Sequence, residues 1–341
     1  MSRSWLRRLV AGLRRRAGAV FKSRDEFDLT DGDIARPLLY LSLPIVVTNL
    51  LHTTYNLVDT IWLGRYSTDA LAAISFAFPV VFFIISLGLG IAIAGSILVA
   101  QNVGSGDEAR AEFAASQTVT FAVVASLVLG AFGYLAVGDI LPLLGASGAV
   151  LEGATAYLEI ISLGMVFMFA FFVFMSLMRG YGDTITPMLV MLATVVVNLV
   201  LDPFLIFGWG PFPEMGVVGA AYATVFSRAL ATVIGTGIMF SGVRGVEIHL
   251  AQMRPDPGFF RKLLRVGVPA SVEGTGNAIA VNLMLVIVGT FPTVVVAAYG
   301  VVVAARSSSP APMFWPAIVS TPRPTAMAGR KMTENSRTPT P

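Results

Sequence analysis

Leu38-Leu39-Tyr40-Leu41-Ser42-Leu43-Pro44, near the start of the chain, returns 225 positions later as Leu263-Leu264-Arg265-Val266-Gly267-Val268-Pro269. The same offset carries Gly64 onto Gly289 and Ala72-Ala73 onto Ala297-Ala298, with no gap between the anchors. A fixed-period repeat in a very apolar chain is the mark of a membrane transporter built from two similar helical bundles. The second copy is begun and then stops, so one complete lobe and the opening of another are expected.

Composition agrees with that class. The 341 residues are 55% hydrophobic and 13% charged, with mean hydropathy +0.78. A soluble domain carries about 25% charged residues. Windows of about 20 apolar residues recur, each long enough to cross a bilayer core of about 30 Å. Cysteine is absent, which excludes disulfides, thiolate metal sites and thiol catalysis.

The expected fold class is an all-α polytopic membrane protein: a six-helix N-terminal lobe plus the first one to two helices of a second, repeat-related lobe. The spans read as 38–63, 74–100, 116–137, 154–178, 187–208, 217–240 and 265–290, with a shorter apolar run at 293–305. These spans divide the chain into a basic arm (1–36), the first lobe (37–243), an inter-lobe linker (244–264), the start of the second lobe (265–305) and a tail (306–341). The arm carries nine Lys/Arg and no cleavable leader pattern, which reads as a cytoplasmic anchor that sets topology, or as a helix lying on anionic lipid. With the arm inside, the inner connections hold Arg110, Arg179, Arg244, Arg254, Arg261, Lys262 and Arg265, and the outer ones only Arg65. Such asymmetry expects a multi-pass protein of the cell (plasma) membrane with a cytoplasmic N-terminus. Pro, Ser and Thr make up 17 of the 36 tail residues, which reads as disorder. By the offset, however, Arg306 stands opposite Val81 in mid-helix, so the tail is also expected to reflect truncation or a shifted reading frame.

Ionisable groups at membrane depth are expensive and mark function. Thr48/Asn49, His52, Asn56 and Asp59 recur at steps of three or four, which places a polar stripe along one face of the first span. Pro44 removes a backbone hydrogen bond below that stripe and supplies a hinge. Asn198 and Asp202 stand four apart in the fifth span, with Pro203 following. Asp59 and Asp202 each lie four to six residues from an outer end, roughly 6–9 Å deep at 1.5 Å per residue. Tyr157 and Glu159 of the fourth span reach the same level. Two carboxylates at one depth suit uptake of a proton or a sodium ion, with Asn198 and Tyr157 as neutral oxygen ligands. The plainer reading has Asp59 and Asp202 capping or tying helices. His52 and Asn56, and Glu273 and Asn277 of the seventh span, are candidate cavity-lining residues. Met284 stands opposite Asp59, so the second copy lacks that acid. Arg228 receives no role.

The Gly104-Ser105-Gly106 and Gly180-Tyr181-Gly182 pieces lack the strand–helix setting and the lysine of a phosphate loop and read as turns. No Ser/His/Asp set, metal-spaced His pair or cofactor fingerprint is present. The expectation is a protein that is not an enzyme, with no cofactor and no nucleic-acid partner.

Three motifs resemble one family. Pro44 with Tyr55-Asn56-Leu57-Val58-Asp59-Thr60 and Gly64, then Arg179-Gly180-Tyr181-Gly182-Asp183-Thr184-Ile185-Thr186-Pro187, then Asn198-Leu199-Val200-Leu201-Asp202-Pro203, are similar to the multidrug and toxic compound extrusion (MATE) family, most of all its archaeal and DinF-like branch. The resemblance covers roughly 30–305. It implies twelve helices in two lobes and export of amphipathic, often cationic, compounds by a monomer against protons or sodium ions. It also implies that Asp59, Asp202, Asn198 and Tyr157 form the first-lobe cation site. Helices eight to twelve of that pattern are not readable here. Alternatives left open are a flippase for lipid-linked sugars and a non-transporting, shortened membrane protein.

Overall fold

The computed structural model describes residues 35–307 apart from 243 and 246, and the side chains at 35–41, 273–275, 277, 278 and 304–307 lie outside that description. The arm up to residue 34 and the tail beyond residue 307 therefore also fall outside the described residues.

Among the described residues nine α-helices follow one another: α1 (Ala35–Tyr66), α2 (Thr68–Gly104), α3 (Glu108–Leu143), α4 (Gly148–Leu163), α5 (Met165–Tyr181), α6 (Ile185–Ile206), α7 (Val217–Ser241), α8 (Pro257–Val288) and α9 (Thr293–Ser307). The fold is an all-α membrane fold. α2, α3, α6 and α7 are each long and apolar enough to cross a bilayer, and α4 with α5 make a further span bent by 57°. Every expected span falls on these helices, although two of them, 187–208 and 265–290, overrun the helix ends at Ile206 and Val288. The fourth, expected as one helix over 154–178, is broken at Gly164. A Cβ there would overlap the Val225 side chain of α7, so glycine is what fits at the break.

Local chemistry sets the helix ends. Ser67 joins α1 to α2 and accepts a hydrogen bond from Ala70 N at 2.9 Å, and Asp107 accepts from Arg110 N at 3.1 Å. At the α5–α6 turn Gly182 takes φ +98°, a left-handed position that glycine fills without a Cβ penalty. Asp183 then accepts from Ile185 N at 3.0 Å and Thr186 N at 2.9 Å. The second motif is thus a helix stop followed by a helix start.

In α1 the threonines satisfy their hydroxyls within their own helix. Thr48, Thr53 and Thr60 Oγ1 donate to the carbonyls of Pro44, Asn49 and Asn56 at 2.7, 3.0 and 2.7 Å. Such bonds keep polar side chains tolerable where water is absent.

α2 is the central helix and packs against α3, α4, α5, α8 and α9. Large side chains fill one buried cluster around Phe169, Ile161 and Phe76 and another around Phe171, Phe174 and Met191. Helix glycines admit the rings: a Cβ on Gly88 would lie 2.6 Å from Phe169, and one on Gly235 2.7 Å from Phe174. Leu127, Val128, Phe132 and Leu135 of α3 point outward, the side a bilayer would cover. Leu285, Val288, Val296 and Ala297 of α8 and α9 belong to the same buried cluster as Phe76. The repeated segment therefore packs directly along the first lobe.

Candidate cation site

Four helices bring polar groups to one buried place. α1 supplies Tyr55 and Asp59, one turn apart and 4% and 5% exposed. α6 supplies Asn198 and Asp202, again one turn apart, at 1% and 0%. α4 supplies Tyr157 and α7 supplies Thr224, both buried.

The contacts cross between helices. Asn198 Nδ2 donates to Asp202 Oδ1 at 3.1 Å, and the Tyr55 hydroxyl donates to Thr224 Oγ1 at 2.9 Å. Tyr157 reaches the same Thr224 hydroxyl and lies close to both acids. The Asp59 and Asp202 carboxyl groups come within hydrogen-bonding reach of each other. Asp59 Oδ1 and Asp202 Oδ2 are buried and receive no hydrogen bond from a described donor. Buried carboxylate oxygens without donors are costly unless a cation or a proton satisfies them. The groups around the pair are oxygen-bearing, a set that suits a hard cation or a shared proton rather than a soft transition metal.

The four residues expected from the sequence are thus brought together. Glu159 is not: it lies two positions beyond Tyr157, about 200° round the helix, and is only half-buried. His52 and Asn56 are half-buried on a flank of α1 beside the acid. The His52 ring stacks on Phe172 with centroids 6.3 Å apart and planes at 13°. Pro44 is buried inside α1. The side chains of Glu273 and Asn277 lie outside the described residues.

Sequence reasoning missed Tyr55, Thr224 and Arg228 as neighbours of the acids. Two i, i+4 pairs were the available signal, Tyr55 with Asp59 and Thr224 with Arg228.

The MatE family model matches residues 44–204, a stretch that holds Asp59, Tyr157, Asn198 and Asp202. Over these residues the chain is similar to the MATE family. It is 33% identical over 276 residues to the probable multidrug resistance protein YoeA of Bacillus subtilis, covering 78% of this chain and 58% of that protein. It is 31% identical over 282 residues to a FAD transporter of Shewanella oneidensis, covering 81% and 61%. Among solved structures it is similar to the MATE multidrug transporter DinF-BH: TM-score 0.76, 26% identity, 86% of this chain and 65% of that one covered. The chain thus spans about three fifths of the length of the curated relatives it matches.

Proposed function

We propose that this chain carries the cation-binding lobe of a secondary antiporter. It moves amphipathic, often cationic, small molecules out of the cell against an inward flow of protons or sodium ions. The observation that carries this reading is the Asp59–Asp202 pair, joined across α1 and α6 with two buried oxygens that lack donors. A cation or a proton between the acids neutralises them. α1 then bends at Pro44, where one backbone hydrogen bond is missing, and the lobe changes shape between two states of access. The names of the Bacillus relative and of DinF-BH, both tied to multidrug transport or resistance, support a drug-like cargo. The basic residues expected on the inner side support a plasma-membrane protein with a cytoplasmic N-terminus.

The test is exchange in proteoliposomes, with ethidium as a fluorescent amphipathic cation. The chain is expected to move ethidium against a proton or sodium gradient, and Asp59→Asn is expected to abolish the exchange. Undiminished exchange by that variant, or none by the unaltered chain, overturns the proposal.

A further inference from the structure

Arg228, in the middle of the membrane-length helix α7, is 4% exposed. Its guanidinium carbon lies 4.9 Å from the Tyr55 ring centroid, 4.8 Å from Phe171 and 5.9 Å from Phe172. Nη1 donates to the Met191 sulfur at 3.7 Å, a weak acceptor, and Nε has no partner. Among the described residues no carboxylate lies within ion-pair distance of it. A buried arginine ordinarily meets an acid. Here three rings hold its charge through their negative faces.

The crossing of α1 and α7 fixes where that charge stands. Tyr55 and Asp59 are one turn apart on α1, and Thr224 and Arg228 one turn apart on α7. The Tyr55–Thr224 hydrogen bond pins the two turns together. Arg228 is consequently an electrostatic neighbour of Asp59 without touching it.

We propose that Arg228 is a tethered countercharge for the Asp59–Asp202 pair, which stabilises the ion-free carboxylates and so loosens their grip on the coupling cation. The inference rests on the cation reading of that pair. When the cation leaves, negative charge is uncovered in a low-dielectric bundle, and a fixed positive charge nearby stabilises that state. When the cation is bound the pair is largely neutralised, and Arg228 gains much less. An arginine in direct contact would instead occupy the site. The aromatic cage holds it one turn away, close enough to act and too far to fill the place of the ion. The groups facing the pair from the packed helices are Tyr55 of α1, Tyr157 of α4, Asn198 of α6, and Thr224 and Arg228 of α7.

The experiment is direct cation binding by the purified full chain, read by sodium titration and by proton uptake, for the unaltered protein, Asp59→Asn, Arg228→Gln and Arg228→Lys, each with its melting temperature. Arg228→Gln is expected to bind the coupling cation about tenfold more tightly. Arg228→Lys, which keeps the charge, is expected to stay within about threefold. A folded Arg228→Gln with unchanged or weaker binding overturns the countercharge. If Arg228→Gln does not fold, Arg228→Lys decides: a change of tenfold or more overturns the proposal, and a change within threefold upholds it. No binding by the unaltered chain, or equal binding by Asp59→Asn, brings down the cation reading itself and this inference with it. Binding that Asp59→Asn abolishes and Arg228→Gln leaves unmoved brings down the countercharge alone.

Discussion

The Tyr55 hydroxyl donates to Thr224 Oγ1 at 2.9 Å, and this bond joins the helix of the first acid to the helix of the buried arginine. Both residues are 4% exposed, so water cannot replace either partner. Tyr157 converges on the same threonine from α4. The Thr224 hydroxyl therefore ties α1 to α7 beside the acid pair, with Tyr157 of α4 close by.

Tyr55→Phe removes that bond while keeping the ring that lies under Arg228. A buried hydrogen bond contributes about 1 kcal/mol, and a buried acceptor left alone costs about 1–3 kcal/mol. Thr224 keeps Tyr157 as a partner, so the smaller figure applies. The expected outcome is a melting temperature lower by a few degrees in detergent, with the cation–π contact retained. An unchanged melting temperature in Tyr55→Phe beside a large fall in Tyr55→Ala would show that the ring contacts, and not the hydroxyl, hold α1 to α7.

Asn198→Ala acts on the acid itself. The amide donates to Asp202 Oδ1 at 3.1 Å, while the buried Oδ2 has no described donor. Hydrogen bonds to charged groups contribute about 1.5–3 kcal/mol, and because this one stabilises the ion-free carboxylate, its loss is expected to tighten proton binding by roughly tenfold or more. Asn56→Ala, on the half-buried flank of α1, is expected to change affinity by less than about twofold on the same scale of magnitudes. Sodium or proton titration of the two variants side by side checks the contrast. Equal effects would place the ion beside the flank of α1 instead of between the acids.

Spacing along single helices was enough to find Asp59, Asn198 and Asp202, because the i, i+4 rule acts within one helix and the apolar background makes each polar residue conspicuous. The helices themselves were legible for the same reason. Arg228 was conspicuous too, yet its meaning was not, since the rings that hold it come from α1 and α5. The break at Gly164 was likewise hidden. Apolar residues flank it on both sides, and the neighbour that requires a glycine there is Val225, more than sixty positions away on α7. Glu159 is a matter of direction: it stands within one helical turn of Tyr157, but the angle round the helix separates the two side chains.

A last relationship hidden from spacing concerns Gln117, a 1% exposed residue of α3. Its amide nitrogen donates to the carbonyls of Gln252 and Arg254 at 2.6 and 2.7 Å. Its amide oxygen accepts from Asp256 N at 3.1 Å. Thr120 adds a bond to the Met253 carbonyl at 3.2 Å, and the Ser116 hydroxyl accepts from His249 N at 3.2 Å. The segment before α8 is thus fastened to α3 through its backbone, which no pattern of side chains in that segment would reveal. Gln117→Ala removes three of these bonds at once and leaves an empty space where the amide stood. At about 1 kcal/mol for each bond, the docked segment loses roughly 3 kcal/mol and opens locally far more often. Arg244 is exposed ahead of the docked segment, so trypsin reads the opening there. Cleavage at Arg244 is expected to accelerate by about a hundredfold if the opening free energy falls by that amount. Cleavage at the unaltered rate would mean that Thr120, Ser116 and the contacts of α8 hold the segment without Gln117.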